Sequence, residues 1–322
     1  MRWKKLKLAL TYSTIIAIIG TSGCLKLCKD KSNEFAENVY EYTSSFTDDD
    51  FYIAAHRGFV VGCGENTVNS AYNANCSPYV DLIELDVRLT GNGMLVAAHN
   101  NSVFEAKGDK VKISDTNYCD LAEKEFLYFP ASAKSFLKTF VSTTDGSLVR
   151  ERIFDNFGIG YTISPFEEIL DVCGNKTILL DLKFNNDYDA FVAALVSVLS
   201  NHSNQDIILQ SSSLDLLSKL QLSYPEYRYS GIVDSEEDFE QCKTFDIIAV
   251  RRNLIGSANV KEAVDDGKEV AVWTINSTDE LDAVVEEFGD SYQNIIYITD
   301  YPDIISYQLH SKDTQKKKVT IR

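Results

Sequence analysis

Apolar residues recur along this chain in two alternating rhythms. Short runs rich in β-branched residues occupy 52–56, 80–87, 177–183, 206–210, 228–233, 245–250, 269–274 and 294–298, and each reads as a strand. From the third run on, segments with apolar residues at helical spacing separate most of them, at 186–200, 214–223, 234–242, 258–266 and 278–288. Strand and helix in alternation predict a parallel sheet with crossover helices. Eight strand units spread over about 250 residues have the size of a closed TIM-type (β/α)8 barrel; an open doubly wound sheet is the alternative. Two features break the repeat. Residues 95–99 form an extra short strand, joined to the second strand through Thr90-Gly91-Asn92-Gly93, whose Asn-Gly pair suits a tight hairpin. The stretch 101–164 is long and mixed and reads as an insertion over one rim of the barrel, where substrate choice could reside.

The amino terminus has a different pattern. Arg2, Lys4, Lys5 and Lys7 precede a mostly apolar run at 8–20, followed by Thr21-Ser22-Gly23-Cys24. This resembles a bacterial lipoprotein signal, in which the cysteine is lipidated and becomes the first residue, and the run is shorter than the ~20 residues a membrane span requires. The expected organisation is a signal peptide at 1–23 with lipidation at Cys24, a polar tether at 24–50, the barrel at 51–310 with its insertion at 101–164, and a polar tail at 311–322. The expected location is the cell envelope of an exporting cell, with the membrane touched only through the lipid.

Charge then removes one class of partner. With 31 Lys+Arg against 48 Asp+Glu the net charge is −17, and loss of 1–23 would take four cations with it. No basic face is evident for a polyphosphate backbone, so a nucleic-acid partner is not expected. Seven cysteines are present; if Cys24 carries lipid, the remaining six allow fifteen pairings and no spacing selects one. Burial as small apolar side chains suits most of them equally well.

Candidate chemistry gathers at strand ends. In Asp81-Leu82-Ile83-Glu84-Leu85-Asp86-Val87 the two-residue period puts Glu84 and Asp86 on one face and Ile83, Leu85 and Val87 on the other. Inward carboxylates repel unless a cation lies between them, and Asp181 and Lys183 repeat the same spacing on the third strand. Three carboxylates and a lysine fit a hard divalent cation, Mg²⁺ or Ca²⁺, beside an anion; an internal salt bridge is the plainer alternative. Of only four histidines, His56 ends the first strand ahead of Arg57-Gly58 and His99 ends the hairpin strand, whereas His202 and His310 sit in polar surroundings.

These residues carry a further resemblance. His56-Arg57-Gly58, then Glu65-Asn66-Thr67, then Glu84-Leu85-Asp86-Val87 through Thr90 and Gly93 to His99 resemble the signature of the glycerophosphodiester phosphodiesterase family. Ser164-Pro165-Phe166-Glu167, Asp181-Leu182-Lys183, Val272-Trp273-Thr274-Ile275-Asn276 and Thr299-Asp300-Tyr301-Pro302 extend the match in order. The resemblance implies a TIM-type barrel that hydrolyses phosphodiesters with one divalent cation. His56 and His99 would be the acid/base pair, Arg57 and Lys183 would hold phosphate oxygens, and Glu84, Asp86 and Asp181 would bind the metal. Trp273 would line the substrate pocket, and Glu65 would support Arg57 or the metal. Two positions depart from the family pattern: Asp181 stands where Glu is usual, and Asn100 where Asp is common, the latter expected to lower the pKa of the adjacent histidine. A weakly active or inactive barrel that binds phosphodiesters or glycans is therefore one alternative, and a glycosidase using paired carboxylates is another.

Overall fold

The computed structural model describes residues 51–60, 62–105, 110–128, 159–184 and 187–320, all within a compact unit spanning Phe51–Arg322. The expected signal peptide, Cys24 and tether lie outside the described residues, as do parts of the insertion. No described helix is long and apolar enough to cross a membrane.

In chain order the first strands are β1 (Tyr52–Ala55), β2 (Leu82–Leu89) and β3 (Leu95–Ala97). Two short pairs follow, β4 (Ser102–Phe104) with β5 (Lys110–Lys112) and β6 (Phe126–Tyr128) with β7 (Ile159–Tyr161). Then come β8 (Thr177–Leu182), β9 (Ile207–Ser211), β10 (Arg228–Val233), β11 (Ile247–Arg251), β12 (Glu269–Trp273) and β13 (Ile295–Thr299). β1 pairs in parallel with both β2 and β13, and β2 continues through β8 to β12 in parallel steps. The eight-stranded sheet is thus closed, and the open-sheet alternative is excluded. β3 adds to β2 in antiparallel register, Leu89 opposite Leu95, with Gly93 in the left-handed region at φ 79° in the turn.

The side-chain period sorts residues as the pleat demands. Ile83, Leu85 and Val87 join the apolar layer between barrel and helices, whereas Ala54, Leu82, Leu179, Ile208, Ile247, Ala249 and Ile296 fill the barrel interior. Helix α1 (Val68–Cys76) starts at Thr67, whose hydroxyl accepts from the Ser70 N–H while the Ser70 hydroxyl accepts from the Thr67 N–H. α2 (Tyr118–Ala122) and α3 (Phe166–Leu170) are single turns before β8. α4 (Tyr188–Asn201) and α5 (Leu214–Ser223) agree closely with expectation. The segment at 234–242 instead splits into a 3₁₀ turn, Glu236–Asp238, and a short α6 (Phe239–Cys242). α7 (Ala258–Asp265) and α8 (Thr278–Phe288) are capped by Ser257 and Ser277, and α9 (Pro302–Thr320) runs on past residue 310.

The described parts of the insertion have a small core of their own: Val103, Ile113, Leu121, Phe126 and Ile163 pack with Val96 and Ala98 on either side of β3's last residue. β3 ends at Ala97, short of the expected residue 99, so His99 lies just beyond a strand that is braced from outside the barrel. Cys63, Cys173 and Cys242 are buried and Cys76 and Cys119 exposed, all with free thiols.

Candidate active site

His56, Arg57, Asp86, Asp181, Lys183 and Trp273 lie in the later part of a barrel strand or just beyond it, the face where TIM barrels hold their chemistry, while Glu84 sits deeper on β2 and His99 follows the added strand β3. Asp86 on β2 is opposite Asp181 on β8, and Asp181 is opposite Gln210 on β9. Glu84, Asp86 and Asp181 are 3%, 1% and 5% exposed, so three carboxylates lie in the barrel interior beneath the mouth. One oxygen from each lies within 4.8 Å of the others.

Two cations answer them. Lys183 Nζ is 2.5 Å from Asp181 Oδ2 and 3.1 Å from Asp86 Oδ1. Arg57 Nη1 donates to both Glu65 oxygens at 3.0 Å, and its Nε lies 3.4 Å from Asp86 Oδ2. The Arg57 backbone N–H donates to Glu84 Oε2 at 2.7 Å, so one residue ties three acids together. That geometry needs an unusual backbone: Arg57 has φ 58° and Gly58 φ 79°. A Cβ on Gly58 would lie 2.5 Å from Ser70 Oγ, which explains the glycine after the arginine.

Burial and charge set the protonation states. Burial would raise the Asp86 carboxyl, but Arg57 and Lys183 outweigh it and hold the group below its usual range. Burial followed by Asp86 and Asp181 lifts Glu84 well above its usual value, and burial lifts Asp181 to about 6. Burial would lower Lys183, yet Asp86 and Asp181 raise it. His99 is pushed down to about 4 by burial, with Arg57, Lys183 and His56 adding to the effect and Asp86 opposing it. The direction matches the expectation for Asn100, but the causes are burial and the neighbouring charges; Asn100 Oδ1 lies 3.3 Å from His99 Nδ1.

The residues present fit a hard divalent ion. All three candidate ligands are oxygens, and Asp181 Oδ1 is buried with no hydrogen-bond partner in the structure. A buried polar atom without a partner is costly, and a cation facing it would remove that cost.

His56, Arg57, Glu84, Asp86, His99, Asp181, Lys183 and Trp273 all line one cavity of ≈ 200 Å³. Glu65 stands behind Arg57 and supports it. Gln210, Ser212 and Asp234 also line the cavity and were not anticipated, because single polar residues at strand ends carry no signal in sequence. Asn66, of the Glu65-Asn66-Thr67 motif, holds Asp86 from both sides: its Nδ2 donates to Asp86 Oδ2 at 2.8 Å and its Oδ1 accepts from the Asp86 N–H at 2.9 Å. Asp300 Oδ1 is 2.6 Å from His56 Nδ1, and Asn276 Nδ2 donates to Asp300 Oδ2 at 2.7 Å.

Barrel and mouth together define a TIM-type α/β barrel whose pocket joins a buried carboxylate triad, two cations and two imidazoles, and similarity to known proteins narrows the class. Residues 56–304 match the Glycerophosphoryl diester phosphodiesterase family, and the chain belongs to it. Among solved structures it is similar to an Oleispira antarctica phosphodiesterase in complex with the product sn-glycerol-3-phosphate. That likeness has TM-score 0.61 at 19% identity, covering 80% of this chain and 96% of that one. A glycerophosphodiester phosphodiesterase from Parabacteroides distasonis gives TM-score 0.60 at 19% identity, covering 83% of this chain and all 100% of that one. Human lysophospholipase D GDPD1 is 27% identical over 135 residues, which are 41% of this chain and 36% of that protein. The chain thus matches about a third of the length of this curated relative.

Proposed function

We propose that this protein hydrolyses a glycerophosphodiester, or a related small cell-envelope phosphodiester, to a phosphomonoester and an alcohol, with His56 and His99 as acid and base and with one divalent cation, Mg²⁺ or Ca²⁺. The observation that carries this reading is the partnerless, buried Asp181 Oδ1 in a carboxylate triad that shares its cavity with two imidazoles and two fixed cations. Glu84, Asp86 and Asp181 would hold the ion, which when bound supplies positive charge to a phosphoryl oxygen.

The chain's own residues account for the rest. Arg57 and Lys183 face a phosphodiester that gains negative charge on its phosphoryl oxygens as a nucleophile attacks, so both bind the transition state more tightly than the ground state. Glu65 and Asp86 keep the Arg57 fork from swinging away. His99, held neutral by burial, can accept the proton of the attacking hydroxyl. His56, with the Asp300 carboxylate on its Nδ1, can carry a proton toward the departing alkoxide. Trp273, whose Nε1 donates to the Ala249 carbonyl at 3.3 Å, presents a fixed ring to the substrate. The cavity admits a glycerophosphate-sized group, and the product bound by the Oleispira antarctica relative has that size.

Turnover of glycerophosphocholine and glycerophosphoethanolamine in the presence of Mg²⁺ or Ca²⁺, beside a His56→Ala control, tests the reading. Equal rates for the two proteins would remove it for those substrates. We further propose export with cleavage before Cys24 and lipidation there, as the basic-apolar-small pattern suggests. An intact Met1 found by mass on exported protein would contradict this.

A further inference from the structure

His56 is held differently from His99. β1 and β13 are neighbours in the closed barrel, and the His56 N–H donates to the Thr299 carbonyl at 2.9 Å, so His56 and Asp300 each stand one residue beyond adjacent strand ends. An ionised carboxylate only accepts hydrogen bonds, so the 2.6 Å contact between Asp300 Oδ1 and His56 Nδ1 puts the ring hydrogen on Nδ1. Burial would raise the Asp300 carboxyl, but the hydrogen bond and charge of His56 and the Asn276 amide outweigh it. Asn276 closes a ring with Asp300: its Nδ2 donates to Oδ2 at 2.7 Å and its Oδ1 accepts from the Asp300 N–H at 2.9 Å. Asn276 is in turn fixed through its own N–H to Glu280 Oε2 at 2.7 Å, in the first turn of α8. Glu280 also pairs with Arg252, whose Nη1 donates to the Thr274 carbonyl at 3.0 Å. Neither Asp300 nor Asn276 lines the cavity, whereas His56 does.

We infer that Asp300 and Asn276 are positioning residues: a carboxylate and amide clamp that fixes the His56 ring and its Nδ1–H tautomer, leaving Nε2 as the nitrogen that serves the substrate. This rests on the phosphodiesterase reading of the same cavity. The clamp acts through His56 alone, as the third member of a nucleophile–base–orienter set acts through its base.

Two measurements on the full chain test it. Asp300→Asn and Asn276→Ala, loaded with the same divalent cation as the parent, should lose about 10- to 100-fold in kcat with KM within about threefold, the range for a partner that orients a functional histidine. Ring ¹⁵N spectra give a readout independent of turnover. With four histidines in the chain, His56→Gln identifies the His56 signals. At a pH where the ring is neutral, the parent should show Nδ1–H, and Asp300→Asn should shift the population toward Nε2–H. A parent in the Nε2–H form, or variants with unchanged kcat, would overturn the inference. If Asp300→Asn does not fold, Asn276→Ala and the parent spectrum still decide. If the parent turns over no diester, the functional reading fails on its own while the spectra judge the clamp.

Discussion

Loading the carboxylate triad with a divalent ion should expel protons, and the effect can be sized from the site. Without an ion, Asp86 is ionised under Arg57 and Lys183, Glu84 is lifted well above its ordinary range, and Asp181 is lifted from 3.8 to about 6. A hard ion takes ionised carboxylates, so below about pH 6 it must displace the Asp181 proton. The Asp181 proton alone should lower affinity by about tenfold, or about 1.4 kcal/mol, for each further pH unit. Glu84, lifted well above its usual value, adds a second proton to that slope and extends the dependence upward. Stability of the ion-free fold runs the opposite way. A carboxyl raised in the folded state contributes stability below its unfolded value of 3.8 and loses it as pH climbs to about 6. For Asp181 alone the ion-free fold gives up about 3 kcal/mol by neutral pH. An ion at about 100 times its Kd returns about 2.7 kcal/mol, which raises the melting temperature by several degrees. Calorimetric titration of Mg²⁺ and Ca²⁺ at about pH 5, 6 and 7, in buffers of different ionisation heat, counts the protons released. An affinity that stays flat across this window, or a binding heat indifferent to the buffer, would refute the assignment of these carboxylates as a cation site.

Three substitutions probe the surrounding frame. Gly58→Ala must place a Cβ 2.5 Å from Ser70 Oγ and 2.7 Å from its carbonyl carbon at φ 79°, so chemical denaturation should show a loss of about 3 kcal/mol; a loss under 1 kcal/mol would mean the loop adapts. Arg57→Lys removes the fork that meets Glu65 at 3.0 Å through Nη1 while Nε lies 3.4 Å from Asp86, and kcat/KM should drop about 100-fold, against which a change within threefold would count. Trp273→Phe should abolish the change in tryptophan emission on binding sn-glycerol 3-phosphate; a change that persists through Trp3, the chain's other tryptophan, would move Trp273 out of the pocket.

The barrel was legible wherever local pattern decides. The strand at 228–233 and the helices at 214–223 and 278–288 agree with expectation to the residue, because the apolar period decides there and Ser277 caps the last of them. The segment at 234–242 misled because Ser235 and Asp238 close a capping box on each other, and three successive acids offer no apolar face before Phe239. Closure itself is not local: the strand order reads alike for open and closed sheets until β1 pairs at both edges. The same distinction divides the site. Glu84 with Asp86, and Asp181 with Lys183, could be read from the pleat because each pair sits on one strand. Asp300 and His56 are 244 residues apart and meet only because β13 closes onto β1.

Asp181 shows how a change from the family pattern can be absorbed by register. One methylene shorter than the usual Glu, it still brings an oxygen within 4.8 Å of Glu84 and Asp86, because β8 sets it directly opposite Asp86. Lys183, two residues on, takes Oδ2 at 2.5 Å and leaves Oδ1 buried and unmatched. The lysine thus decides which oxygen of the shorter acid remains for a cation. On the proposed roles, phosphate capture by Lys183 and ion binding would depend on one another at Asp181 and not only through a shared cavity.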